Sequence, residues 1–298
     1  MQRIVGFIVL CLVGLAHPAG RDAKRPEMSG VAFVRISVGD LQTATSFYNG
    51  TLRLPNLQCS GNSAKCFFVN PSQQVELVEQ TSTPGEDRVD AIGIFTTDAD
   101  SLRQYLLSHG QKPGELITNA PGGISFQIKD PEGHVLEFVQ RTGTVAGSIG
   151  GPVPRDMRII HAGFVVKDRE AMDKFYRDIL GFHVYWHGGM KVGETDWVDM
   201  QVTDGTDWIE YMLNVPANAD KHTLGVMNHI ALGVPDVRAA AEQLKKNGVK
   251  LTEEPKIGRD GKWQLNLYDP DQTRVELMEF TPSEKPCCAE YTGAHPKP

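Results

Sequence analysis

Residues 226–237, VMNHIALGVPDV, alternate like a half-buried strand and run into an Asp placed to start a helix. His229 stands in that strand among Ile, Ala and Leu. A related stretch, MRIIHAGFVVKD at residues 157–168, carries His161 in the same place. Two further openings follow the recipe, VAFVRISVGD at residues 31–40 and AIGIFTTDAD at residues 91–100. Each is followed by a helical stretch: LQTATSFYNGTLRL (41–54), DSLRQYLLSHG (100–110), REAMDKFYRDILGF (169–182) and VRAAAEQLKKNG (237–248). An Asp ahead of each helix accepts the orphan amide protons of its first turn.

Each unit then closes with a turn and a strand that carries a glutamate. These read NPSQQVELVEQ (70–80), DPEGHVLEFVQ (130–140), DGTDWIEYML (204–213) and DPDQTRVELMEF (269–280). Asn-Pro, Asp-Pro and Asp-Gly form turns because Pro presets φ and Gly tolerates positive φ. Units one and three share a Phe-Tyr pair in the helix, Phe47-Tyr48 and Phe175-Tyr176, whereas units two and four share a helix-ending Gly and an Asp-Pro turn. The order is a duplicated pair, ABAB. The expected fold is α+β: four tandem βαβββ modules paired into two domains, residues 28–143 and 158–281. A Gly- and Pro-rich linker (144–157) lies between them. One βαβββ sheet is covered by its helix on a single face and has to bury the other against a partner unit, which leaves a concave space between paired sheets.

Composition narrows the function classes. A net charge of −7, with Lys and Arg scattered among acids, provides no basic stripe for nucleic acid. The first residues, MQRIVGFIVLCLVGLAHPAG, have a basic start, an apolar run of 13 residues (4–16) and a small-residue cleavage site. They read as a signal peptide over 1–19, so a secreted or periplasmic protein is expected, with no membrane association after cleavage. Export permits disulfides. CSGNSAKC (59–66) is spaced to bridge a hairpin, while Cys287 and Cys288 lie in a Pro-rich stretch (282–298) expected to be a flexible tail. Their pairing is left open by the sequence.

The chemistry falls in the second half. His161 opens unit three and Glu210 closes it, 49 residues on (210 minus 161); His229 opens unit four and Glu276 closes it, 47 on (276 minus 229). By strand parity His161 shares its face with Gly163, and His229 with Ala231 and Gly233, leaving room around each imidazole. A carboxylate directed inward costs several kcal/mol unless it is paired or bound to a cation. Two imidazoles and two carboxylates make an open octahedral site for a divalent Fe, Ni, Mn, Co or Zn ion.

In these motifs, in order and spacing, the chain resembles the vicinal oxygen chelate superfamily, which includes glyoxalase I, extradiol dioxygenases and the fosfomycin- and bleomycin-resistance proteins. The likeness spans roughly residues 30–143 and 158–281. It implies metal ligands at the opening His and closing Glu of each unit, here His161, Glu210, His229 and Glu276. The first half departs from the pattern, with Phe33 and Ala91 where histidines are expected. Glu76 and Glu137 then point outward or make ordinary pairs, and His134 is expected to be solvated. The leading expectation is a glyoxalase-like lyase or isomerase whose metal is chelated by two adjacent oxygens of a small substrate, with Glu276 or Glu210 as general base. An Fe(II) extradiol dioxygenase using His161, His229 and Glu276 is the alternative, although no His precedes Tyr268 where that signature requires one. A non-catalytic binding protein of the resistance type is the third reading. Glutathione dependence is not expected of an exported protein. His183, Tyr185 and His187 share a parity and are candidates to line the pocket, with Trp197, Trp208, Met212, Asn266 and Tyr268. A monomer and a homodimer are both compatible with paired units.

Overall fold

The computed structural model describes residues 24–57, 59, 65–80, 87–119, 123–141 and 156–298. The leader (1–19) and nearly all of the linker (144–157) lie outside the described residues. The first half contains β1 (Met28–Val38), α1 (Leu41–Thr45), β2 (Asn56–Leu57), β3 (Lys65–Phe68), β4 (Gln74–Glu79), β5 (Val89–Thr96), α2 (Ala99–Ser108), β6 (Ile117–Asn119), β7 (Gly123–Lys129) and β8 (Val135–Gln140). The second half repeats it with β9 (Arg158–Val165), α3 (Arg169–Asp173), β10 (His183–Gly188), β11 (Trp197–Gln201), β12 (Trp208–Met212), α4 (Lys221–Met227), β13 (His229–Val234), α5 (Val237–Lys246), β14 (Lys256–Ile257), β15 (Trp263–Tyr268) and β16 (Arg274–Glu279). The anticipated α+β architecture of two duplicated halves is present. Among the described residues no helix is long and apolar enough to cross a membrane.

The two units of each half meet edge to edge rather than sheet on sheet. Their opening strands pair antiparallel, β1 with β5 and β9 with β13, and the closing strands flank them in parallel. One eight-stranded sheet results in each half, ordered β2-β3-β4-β1-β5-β8-β7-β6 and β10-β11-β12-β9-β13-β16-β15-β14. Twist curls such a sheet, so the concave space lies within a single sheet at its central strands. The helices cover the other face: Ala99, Leu102 and Leu106 of α2 and Val237, Ala241 and Leu244 of α5 are buried. Each anticipated Asp cap is in place, Asp40, Asp98, Asp168 and Asp236 each accepting from the backbone N–H three residues on.

Two helices differ from expectation. Units one and three hold α-helix for only five residues before widening into π-helical turns at Ser46–Thr51 and Lys174–Ile179. The widened turns carry the Phe-Tyr pairs, and each Tyr crosses to the other half. The Tyr48 hydroxyl donates to Asp269 at 3.2 Å and that of Tyr176 to Asp130 at 3.1 Å. The Asp-Pro turns are thus docking sockets between halves. His134, in the socket of unit two, is not solvated: it stacks on Phe164 with ring centroids 4.0 Å apart and bonds Asp130 at 2.8 Å.

The stretch expected to be a flexible tail also packs. Thr292 N–H donates to Tyr185 O at 3.0 Å, the Tyr291 hydroxyl to Asp260 O at 2.8 Å, and Gln201 to Ala294 O at 2.9 Å. Its aromatic residues supply the reason: Tyr291 packs tilted and His295 edge-on against Tyr185. Disulfides join Cys59 to Cys66 and Cys287 to Cys288.

Candidate metal centre

Parallel pairing sets each closing Glu beside its opening strand: Glu210 opposite Gly163 and Glu276 opposite Ala231. Antiparallel pairing of β9 with β13 then sets His229 opposite Gly163 and His161 opposite Ala231. All four side chains therefore project from neighbouring positions on the concave face. A Cβ on Gly163 would lie 2.2 Å from the His229 ring, so only glycine admits that imidazole.

The donor atoms converge. His161 Nε2 is 3.1 Å from His229 Nε2, 3.5 Å from Glu210 and 3.7 Å from Glu276; His229 Nε2 is 3.0 Å from Glu210 and 3.9 Å from Glu276. Atoms bound to one divalent ion at about 2.1 Å stand roughly 3 Å apart when adjacent and roughly 4 Å apart when opposite; His161, Glu210 and His229 lie within 4.8 Å of one another and fit such an ion, and Glu276 stands beside both imidazoles. Burial holds both imidazoles well below their usual pKa and hence neutral, the form that ligates metals. His229 Nδ1 donates to Met227 O at 3.0 Å, which turns the Nε2 lone pair toward the site. Burial pushes Glu276 up to about 7.

Above these donors lies a pocket of about 330 Å³ with Trp186, Trp197, Trp208, Asn266 and Met278 in its walls. Of the sequence candidates, Trp197, Trp208 and Asn266 line it. Met212 does not, and Tyr268 is spent on Glu253, to which it donates at 2.8 Å. His183 bonds Gln201 at 3.0 Å, and Tyr185 lies buried beneath the C-terminal segment. Trp186 takes the place expected of them, because a bulge between Val184 and Trp186 sets it opposite Asp199.

Three charged residues escaped sequence reasoning. Asp199 is buried, lines the pocket and sits opposite Glu210 across β11 and β12. Lys262 is fully buried, its ammonium 4.5 Å from the Trp208 ring centroid and 5.3 and 5.4 Å from those of Tyr185 and Tyr291. Arg274 approaches His229 Nε2 to 2.7 Å. Strand parity is a signal that could have found Arg274, two residues before Glu276; nothing in the repeat marks Asp199 or Lys262.

The first half maps onto the same register. The Gly163 position is Arg35, paired with Glu76 on one side and Ala91 on the other, and Phe33 stands in for His161. Glu76 and Glu137 point inward and are buried, clasping the Arg35 guanidinium at 2.8 and 3.4 Å. The exchange is spatially compensated: Ala91 vacates the room of an imidazole, and the arginine fills it with a covalently attached cation.

A family model described as the Glyoxalase/Bleomycin resistance protein/Dioxygenase superfamily matches residues 158–277. Lactoylglutathione lyase of Haemophilus influenzae is 28% identical over 125 residues, 41% of this chain and 93% of the relative. A probable chloroplastic lactoylglutathione lyase of Arabidopsis thaliana is 27% identical over 135 residues; the match takes in 44% of this chain and only 38% of that protein's length. Among solved structures, homoprotocatechuate 2,3-dioxygenase from Arthrobacter globiformis superposes with a TM-score of 0.65 at 20% identity, covering 88% of this chain and 82% of that one. At that identity the likeness is one of fold. The family match identifies residues 158–277, the second pair of βαβββ modules, as a domain of the Glyoxalase/Bleomycin resistance protein/Dioxygenase superfamily.

Proposed function

We propose that the second half is a metal-dependent lyase or isomerase of the glyoxalase type. His161, Glu210, His229 and Glu276 would hold one divalent ion, whether Fe, Ni, Mn, Co or Zn. The observation that carries this reading is the convergence of His161, Glu210 and His229, 3.0–3.5 Å apart, with Glu276 3.7 and 3.9 Å from the two imidazoles, at the floor of an indole-walled pocket. The ion supplies Lewis-acid stabilisation of a substrate oxyanion. The chain's own part is to exclude water with the tryptophan walls and to move a proton. Glu276 is the better placed base, since its burial brings it near neutrality, where a general base works best; Glu210 is the alternative. Elemental analysis of the purified protein, with activity measured on α-hydroxycarbonyl compounds, tests the reading. A protein that purifies metal-free and takes up no added ion overturns it in favour of a binding module.

Extradiol cleavage is the second reading, favoured by the two-half architecture shared with the dioxygenase over 88% of the chain. A fourth donor, Glu210, counts against it, because that chemistry uses a triad of two His and one carboxylate. Oxygen uptake with catechols would reverse the ranking. We also read residues 1–19 as an export leader, and the two disulfides suit an oxidising compartment. An intact leader on intracellular protein would refute it.

A further inference from the structure

Arg274 sits two residues before Glu276 on β16, so both side chains project toward the pocket they line. Its Nη2 donates to His229 Nε2 at 2.7 Å, and its buried Nε has no hydrogen-bond partner. Among the described residues Arg274 forms no ion pair, whereas the half-buried Arg35 and Arg158 and the buried Arg88 each meet a carboxylate. The single acceptor it has is the lone pair that the metal reading assigns to the cation. Once that lone pair is engaged, five N–H donors of a permanently charged group are left in a half-buried pocket without an acceptor. Among the described residues no carboxylate pairs with Arg274, and Glu210 and Glu276 of the same pocket are assigned to the cation, so the natural partner is an anion brought by the substrate.

The geometry sets where that anion lies. The guanidinium touches the same imidazole nitrogen that is proposed to ligate, so its partner has to be adjacent to the chelating oxygens. A carboxylate meets this condition, one oxygen in the chelating pair and the other toward the planar fork of Arg274. The second chelating oxygen then belongs to the neighbouring carbon. Trp186, Trp197, Met190, Ile257 and Met278 form apolar walls around a volume of about 330 Å³, which asks for an apolar or aromatic side group. We propose that Arg274 is the anion-recognition residue of this pocket and that the substrate class is a 2-hydroxy- or 2-oxo-carboxylate bearing such a side group. This rests on the metal reading above and deepens it.

The test compares 3-phenyllactate with its neutral isostere 3-phenyllactamide, titrated into the Zn²⁺-loaded full chain and followed by calorimetry and tryptophan fluorescence. The acid binds more tightly than the amide by about 10- to 100-fold, the range of a hydrogen bond to a charged group. Arg274→Met takes up zinc like the wild type but loses at least about tenfold of that preference; Arg274→Gln serves where the Met variant does not fold. Wild-type protein that fails to prefer the acid, or a preference unchanged in both variants, overturns the proposal. Failure of the metal reading shows differently: a chain that takes up no zinc yet retains an Arg274-dependent preference keeps the anion site and loses the chelate. Without zinc uptake and without preference, both fall.

Discussion

Gly163 faces the tightest steric demand in the site. Because a Cβ there would overlap the His229 ring, Gly163→Ala forces the imidazole aside, and zinc affinity measured by chelator competition is expected to fall by at least about tenfold, as for lost ligand orientation. His229→Ala is expected to abolish metal uptake altogether. Glu137→Ala is the contrasting case: it removes one of the carboxylates clasping Arg35, so stability in urea falls by about 2–3 kcal/mol while metal content is unchanged. Equal metal content in the His229 and Glu137 variants would remove the ligand assignment. The pH dependence follows from Glu276, raised by burial from 4.5 to about 7. Across that window the folded apoprotein binds a proton that the unfolded chain does not, so this group's contribution to stability diminishes as pH rises. A metal ion must displace the same proton. Calorimetry in buffers of different ionisation enthalpy should therefore register proton release at pH 6 that fades above about pH 8, with affinity weakening as pH falls below about 7.

At the scale of elements, the π-helical turns explain why units one and three carry Phe-Tyr and the other two carry Asp-Pro. Each Tyr hydroxyl reaches an Asp whose carboxylate also organises its own turn: Asp130 accepts from Glu132 N and His134 N, and Asp269 from Asp271 N and Thr273 N. Further bonds repeat across the two sockets, Gly39 N donating to Asp271 at 2.8 Å and Lys167 N to Glu132 at 2.8 Å. Tyr48→Phe and Tyr176→Phe are each expected to cost about 1 kcal/mol, read from urea midpoints, with metal content preserved. A loss confined to one of the two would show that the sockets are not equivalent. The bulge in β10 acts at the same scale: one extra residue moved Trp186 into the pocket, and strict alternation could not anticipate it.

At the scale of the molecule, a duplicated fold neutralises the same four-residue register in two ways. One half brings together neutral imidazoles and carboxylates; the other closes its carboxylates on Arg35. Arg35→Gly with Ala91→His and Phe33→His restores the second-half pattern at those three positions, and metal stoichiometry is expected to rise from about one to about two equivalents per chain. An unchanged stoichiometry in a folded triple variant would show that matching register is insufficient.

The repeat, the α+β class, the Asp caps and the shared face of His161, Glu210, His229 and Glu276 were legible because each depends on local periodicity, on turn chemistry or on recurrence at fixed spacing. Parity alone was enough to put His161 and Gly163 on one face. Other features depended on long-range contact. Glu76 and Glu137 turn inward because Arg35 lies between them, and no exposure preference for glutamate foresees a cation from another strand. Residues 282–298 pack because Tyr291 and His295 find Tyr185, about a hundred positions earlier. Lys262 and Asp199 are buried charges that only the curled sheet brings beside the site. The chain's own order determined the units and the residues that recur at their opening and closing strands; which edges met, and which charge answered which, was decided by tertiary packing, since burial and counter-charge are properties of neighbours remote in sequence.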